Sequence, residues 1–354
     1  MGMIKNILVI RFRRVGDSVL AVALCHSLKL SLPSAQVHYV VNANIAPLYE
    51  GHPDIDRVIP FTEEEQHGMA YLKKVRQIVK ETRYDAIIDM RSTVKTLPFA
   101  LFSRHTPYLI GRKKWYTAFI HRYRLSTPEG ADRVASNLNL MTPLSREVKI
   151  VRDEHFPLYI KEKELADYRH YLQEQGIDLD KPVMLCAVTT RIEGKSWPRE
   201  RMTEILRRIV QNYDVQLIFN YAGEIEARAA HAYYDALDHH RSIFLGIEAK
   251  GLRQLCALCA TSQFFFGNEG GPRHISQAFD VPSFAIYPPG IDKHFWLPGN
   301  NERYQGISPD DTATAEEQKH MSYQERMALI TVENVWAGLK PMLDQYLTNH
   351  ENRI

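Results

Sequence analysis

At 354 residues the chain is too long for one ordinary hydrophobic core and suits two domains of about 150 residues each. Hydrophobic residues make up 45% and charged residues 24%; this excludes a disordered chain, and no apolar run approaches the roughly 20 residues that span a bilayer. The formal net charge is only +2, yet no acidic residue stands between Asp89 and Glu129, where Arg91, Lys95, Arg104, Arg112, Lys113, Lys114, Arg122 and Arg124 gather and leave the rest of the chain net acidic.

The opening MGMIKNILVIRF has one short apolar run and no small-residue cleavage site. It is read as a first strand, not a signal peptide, which places the protein in the cytoplasm. Strands are expected over residues 7–12, 37–41, 57–61, 86–90 and 108–110, with helices over 18–30, 69–80 and 93–102 between them. Residues 126–157 are polar and broken by Pro128, Gly130, Pro143 and Pro157, with a helix near 132–141; the chain crosses between domains here. The rhythm then repeats: strands over 183–189, 216–221, 242–245, 264–267 and 283–287 alternate with helices over 162–175, 199–212, 224–237, 252–260 and 272–279. A loop-rich stretch, 288–319, precedes one amphipathic segment, 323–347. Strands separated by helices pair in parallel, so the fold class is α/β with two doubly wound, Rossmann-like sheets facing a cleft. The domains expected are 1–157, 158–322 and a terminal helix, 323–354, packing back towards the first domain.

Ligands in such sheets bind beyond the carboxyl ends of the strands, so the loops that follow strands carry the information. The first is RFRRVGDS. Gly16 permits a tight turn, and Asp17 is either the cap of the next helix or a carboxylate placed to take a proton from a sugar hydroxyl. Arg11, Arg13 and Arg14 flank it and could grip an anionic acceptor. In TTRIEGKSWP, the hydroxyls of Thr189 and Thr190, the flexible Gly194 and the cation Lys195 precede a helix start. That suits a phosphate, though a solvated loop has the same look and no P-loop pattern is present. Glu224 and Glu226 open a helix after Gly223; they serve either the helix dipole or a ribose hydroxyl. The block FFFGNEGGPRH is the sharpest. Glu269 precedes Gly270 and Gly271, whose backbone N–H groups can hold an anion, and His274 in the first helical turn is either a partly exposed helix residue or a ligand contact. No GxGxxG occurs, which argues against a nicotinamide cofactor. Cys256 and Cys259 form a CxxC inside an apolar helical pattern without a second ligand pair, as for two core thiols one turn apart.

Taken in order, Gly16–Asp17, the TTR…KxWP block and the NEGGPRH block followed by VPSFAIYPPG resemble glycosyltransferase family nine, the ADP-heptose–lipopolysaccharide heptosyltransferases, over nearly the whole chain. The resemblance implies a GT-B fold with the acceptor in the first domain and the nucleotide sugar in the second. It implies ADP-heptose as donor, inversion at the anomeric carbon, and no metal or other cofactor; the DxD-like spots at Asp54–Asp56 and Asp178–Asp180 are accordingly not expected to hold one. Asp17 matches the family's base. Thr189, Thr190 and Lys195 match its diphosphate contacts, and Glu226, rather than Glu224, its ribose acid. Glu269, Gly270, Gly271 and His274 match its acid–Thr–Gly loop and histidine, with Glu for the usual Asp, Gly for the usual Thr or Ser, and a lysine loop one residue longer.

The acceptor implied is Kdo, bare or phosphorylated, on lipid A. Arg11, Arg13, Arg14, Arg91, Arg112, Lys113 and Lys114 would hold its anions, and GRKKWYTAFIHRYR mixes cations with aromatics as a headgroup interface does. The plain alternative is a solvated basic loop that packs a few aromatics. The resemblance thus puts the enzyme at the inner face of the inner membrane. The rival readings are a GT-B transferase using another nucleotide sugar and a non-catalytic nucleotide- or glycan-binding protein on the same scaffold; no nucleic-acid-reading motif accompanies the basic stretch.

Overall fold

Short runs of β-branched and aromatic residues build two parallel sheets, one in each unit. The computed structural model describes residues 4–12, 14–299 and 301–348, and the chain divides into the units Met1–Tyr159 and Ile160–Ile354. The first sheet contains β1 (Asn6–Ile10), β2 (Gln36–Asn42), β3 (Arg57–Phe61), β4 (Ala86–Asp89), β5 (Tyr108–Arg112) and β6 (Tyr123–Leu125), in the order β3-β2-β1-β4-β5-β6. Ile7 of β1 stands opposite Val37 of β2 and Ala86 of β4. β1 and β4 are apolar almost throughout because helices cover both faces of a parallel sheet. Leu8, Ile10, Val40, Ile59, Phe61, Val75 and Phe99 form the core on one of those faces.

The second sheet contains β7 (Val183–Ala187), β8 (Gln216–Phe219), β9 (Ile243–Phe244), β10 (Phe264–Asn268), β11 (Ser283–Ile286) and β12 (Tyr304–Ile307), in the order β12-β11-β10-β7-β8-β9. Counted from its own first strand, this is the order of the first sheet. Each sheet therefore reverses direction once, between β1 and β4 and between β7 and β10, and such a switch point opens a crevice at the strands' carboxyl ends.

β6 and β12 fall where loops were expected. Both are short edge strands with half-exposed residues, so neither carries the apolar run that marks a central strand. The helix expected over 18–30 is two, Val15–Val19 and Val22–Ser31. The terminal segment is also two helices, Tyr323–Ala328 and Val332–Tyr346. The break between them has a cause: Thr331 caps the second helix, and the Ile330 carbonyl accepts from Trp197 Nε1 at 3.0 Å and Arg201 Nη1 at 2.6 Å. The apolar face of the last helix, Val335, Leu339, Met342 and Leu343, is buried in the core of the second unit with Trp197, Phe219 and Phe266.

All four cysteines are buried and unpaired, and burial pushes the Cys256 thiol up to about 12. Among the described residues no helix is long and apolar enough to cross a membrane.

Candidate active-site loops

Arg11 follows β1 directly, and its backbone N–H still donates to Val40 at 3.0 Å, as if the strand continued. Asp17 is the third residue of the helix Val15–Val19. Arg14 is the N-cap and no side chain caps the helix, so the capping role considered for Asp17 is not what the chain uses. Asp17 is instead 8% exposed and held by arginines. Its Oδ1 accepts from the Arg11 guanidinium, and Arg133 Nη2 donates to the same oxygen at 3.0 Å. Arg133 begins the helix Arg133–Leu138, which Asp132 caps by accepting from the Ala135 N–H at 2.8 Å. Nothing in the local sequence marks Arg133, whose partner lies 116 positions away.

Beside this carboxylate is a cavity of about 390 Å³ whose charged lining is wholly cationic: Arg11, Arg91, Arg112, Lys113, Lys114 and Arg133. The loop after β4 shapes it. Asp89, buried at the strand end, accepts from the N–H groups of Arg91 at 3.0 Å and Ser92 at 2.7 Å through one oxygen, and from the Thr96 hydroxyl at 2.5 Å through the other. Ser92 then accepts from the Arg112 N–H at 2.7 Å, and a Cβ at Gly111 would lie 2.5 Å from its Oγ. Glycine is needed at 111 for this close approach. Arg91 donates to the Phe12 carbonyl at 2.9 Å and Lys114 to the Arg91 carbonyl at 3.0 Å. Arg112 spends its guanidinium on Ser136 and Asn137, and burial, with Arg11 nearby, pulls its pKa down to about 10. It braces the wall as well as charging it. Arg14 is exposed and does not line the cavity, and Arg13 lies outside the described residues.

In the second unit the loop after β7 joins the helix that begins at Gly223. Thr189 Oγ1 donates to Glu226 Oε2 at 2.9 Å, and the same oxygen takes the Ala222 N–H at 3.3 Å. Glu224, the other acid considered, is exposed. Thr190 donates to the Ile192 carbonyl at 2.6 Å, which curls the loop, and Lys195 closes a single 3-10 turn with its side chain exposed.

Asn268, at the end of β10, fastens this loop. Its Oδ1 accepts from the Trp197 N–H at 2.9 Å, while its Nδ2 donates to the carbonyls of Ala187 at 3.0 Å and Val188 at 3.1 Å. Its place in the FFFGNEGG run hinted at a loop residue but not at this brace. Asn268→Ala leaves those buried backbone groups without partners, so a loss of about 2 kcal/mol or more is expected. Urea denaturation reads it directly, and an unchanged midpoint would contradict the brace.

The helix Gly271–Ala278 starts at Gly270, with no side chain capping it. Its first-turn N–H groups are available to an anion. A Cβ at Gly270 would meet nothing nearer than Pro272 Cδ at 3.8 Å, so the backbone has room for the Ser or Thr usual in the resembling family.

His274 is only 2% exposed and does not sit on the surface of the first turn. Arg273, fully buried, donates through Nη2 to His274 Nδ1 at 2.5 Å and to the Trp296 carbonyl at 3.0 Å. An arginine can only donate, so Nδ1 is the accepting nitrogen, and Nε2 faces Glu269 Oε1 at 3.3 Å. His274 thereby steadies Glu269.

The DxD-like carboxylates have structural duties: Asp54 pairs with His26 Nδ1 at 2.9 Å, Asp56 with Lys29 at 2.8 Å, and Asp178 accepts from the Asp180 N–H at 3.0 Å.

Residues 72–327 match the model of a protein family described as glycosyltransferase family 9 (heptosyltransferase). Lipopolysaccharide heptosyltransferase 3 of Escherichia coli is 22% identical over 303 residues, covering 82% of this chain and 85% of that one. Among solved structures, a glycosyl transferase family 9 protein from Veillonella parvula superposes with a TM-score of 0.81 at 17% identity, covering 96% of this chain and 98% of the other. The E. coli heptosyltransferase WaaC with ADP superposes with a TM-score of 0.71 at 15% identity, covering 95% and 99%. At these identities the likeness to the two structures is one of fold, and the fold is GT-B.

Proposed function

The chain belongs to glycosyltransferase family 9, the heptosyltransferases, and from that premise we propose that it moves a heptose from ADP-heptose to the Kdo of a lipopolysaccharide inner core, inverting the anomeric carbon without a metal. The observation that carries the acceptor side is the convergence on Asp17 of Arg11 and Arg133, two of the six cations that line a cavity without an acid. A neutral sugar would gain nothing from that lining, whereas a carboxylated or phosphorylated one would offset it. On the donor side, Lys195 and the uncapped N-terminus at Gly270–Gly271 suit a diphosphate, and the Thr189–Glu226 pair suits a ribose.

In the reaction we infer, Asp17 takes the proton of the acceptor hydroxyl. That oxygen bonds to the anomeric carbon as the bond from this carbon to the diphosphate breaks on the opposite side. The electron pair leaves with ADP, where Lys195 and the helix dipole stabilise the growing charge. Glu269, held by His274, offers an acceptor to donor hydroxyls.

A panel of ADP-, UDP- and GDP-sugars tests this. Only ADP-heptose should turn over, the product should have the opposite anomeric configuration by NMR, and EDTA should leave the rate unchanged. Lys195→Ala should weaken ADP binding about tenfold to a hundredfold, the worth of one charged hydrogen bond. Equal turnover of a UDP-sugar, or unaltered ADP affinity in that variant, would count against the donor assignment. Tight ADP binding with no transfer to any acceptor would mark a binding protein.

A further inference from the structure

The loop between β5 and β6 is rigidly held yet turns two of the chain's largest apolar side chains into water. Trp115 is 89% exposed and Phe119 95%. Thr117 is buried and accepts from the Lys114 N–H at 3.1 Å while donating to the Lys114 carbonyl at 2.8 Å. His121 is buried against Gly111, and Tyr116 donates to the Ser92 carbonyl at 2.9 Å. A loop pinned at these points could have presented polar residues between them. An exposed apolar side chain alone is ordinary, but here there are more, in segments tied to this loop. Val94, 75% exposed, lies in the Ser92 loop, and Leu101 and Phe102 belong to the turn whose Arg104 carbonyl accepts from Arg122 at 2.9 Å.

The chain segment that carries Trp115 and Phe119 contains cations and no acid. Arg104, Lys113, Arg122 and Arg124 are exposed, and Asp89, the nearest preceding acid in the chain, is buried. Lys113 and Lys114 belong both to this loop and to the cavity lining. The loop that presents Trp115 and Phe119 therefore also supplies part of the wall of the proposed acceptor site.

We propose that Trp115 and Phe119 insert into the surface of an anionic bilayer, with Arg104, Lys113, Arg122 and Arg124 resting on its headgroups, so that the cavity opens at the depth of a lipid-borne acceptor's sugars. A tryptophan and a phenylalanine ringed by cations have the chemistry of that interface: ring bodies for the acyl boundary, fixed positive charge for phosphate. A protein partner for the same ridge would need acidic surface opposite at least four cations and an apolar socket for two rings; a membrane supplies both without a specific fold. The inference rests on the proposed acceptor reading for its purpose alone, and the experiment below contains neither donor nor acceptor in its first arm.

The purified chain should sediment with phosphatidylcholine vesicles that contain phosphatidylglycerol and not with phosphatidylcholine alone, and added salt should release it. Trp115→Ser with Phe119→Ser should lower the partition coefficient about tenfold or more, and Arg104→Gln or Arg122→Gln about fivefold each. Trp115→Phe, which keeps a ring, should sediment as the wild type does. In a second arm, the double serine variant should transfer normally to a water-soluble acceptor without acyl chains and lose rate only on acceptor embedded in vesicles. A wild type indifferent to anionic lipid overturns the proposal and leaves a protein as the occupant of the ridge. So does a double variant that sediments like its parent. Absence of transfer with every nucleotide sugar would defeat the enzymatic reading but leave the sedimentation result standing.

Discussion

Asp17→Asn is expected to lower turnover about 10²- to 10⁴-fold, the range a positioned general base supplies, while ADP affinity stays at the wild-type value. Asparagine keeps the shape of the side chain and an oxygen for Arg11 and Arg133. It removes the charge and the ability to take a proton. The donor residues proposed for ADP all lie in the second unit, within Ile160–Ile354, so nucleotide titration reports a part of the chain the substitution does not touch. The variant also removes the Asp17 charge from beside Arg11, which is 1% exposed, and from the mostly buried Arg133. Removing one partner of a buried ion pair destabilises, so the melting temperature should fall, and rates must be measured well below it. A folded, ADP-competent Asp17→Asn protein that transfers at the parental rate would remove Asp17 from the mechanism.

Gly267→Ala should cost about 3–5 kcal/mol of stability, at the extreme of what one methyl group can do. Gly267 has φ +141, a conformation L residues rarely adopt. A Cβ there would stand 2.3 Å from the Ala187 carbonyl oxygen and 2.7 Å from its carbon. Neither atom can retreat cheaply, because Gly267 and Ala187 are register partners in the β10–β7 ladder. Any separation of those strands also moves Asn268 and, through it, the Trp197 end of the lysine loop. Weaker ADP binding should therefore accompany the lower urea midpoint. A shift of less than about 1 kcal/mol would mean that the two strands can part without strain.

The central strands were legible because a parallel sheet buries both faces, and runs such as ILVI and FFF can pack nowhere else. The edges were not: YRL in β6 and YQGI in β12 are half-exposed and have the composition of loops. Asp17, Lys195 and Glu269 stood out since each follows an apolar run and sits within a few residues of a glycine. Their partners did not. Arg133, Asn268 and Arg273 act through space, and a single sequence carries no sign of which arginine meets which carboxylate. His274 shows the same gap in reverse. Its place in a first helical turn suggests partial exposure, whereas Arg273 and the Trp296 carbonyl draw the turn inward. The break before the last helix depended on a carbonyl, Ile330, recruited by Trp197 more than a hundred residues away.

Because both halves share one strand order, the location of each crevice was settled by backbone winding before any ligand-touching side chain was chosen. Specificity is then expected to lie in the loops that follow the strands, above all those after β1, β4, β5, β7, β8 and β10. Such an architecture separates heritable change in what is recognised from change in what keeps the chain folded. New donors or acceptors can be explored by rewriting those loops while the two scaffolds stay as they are.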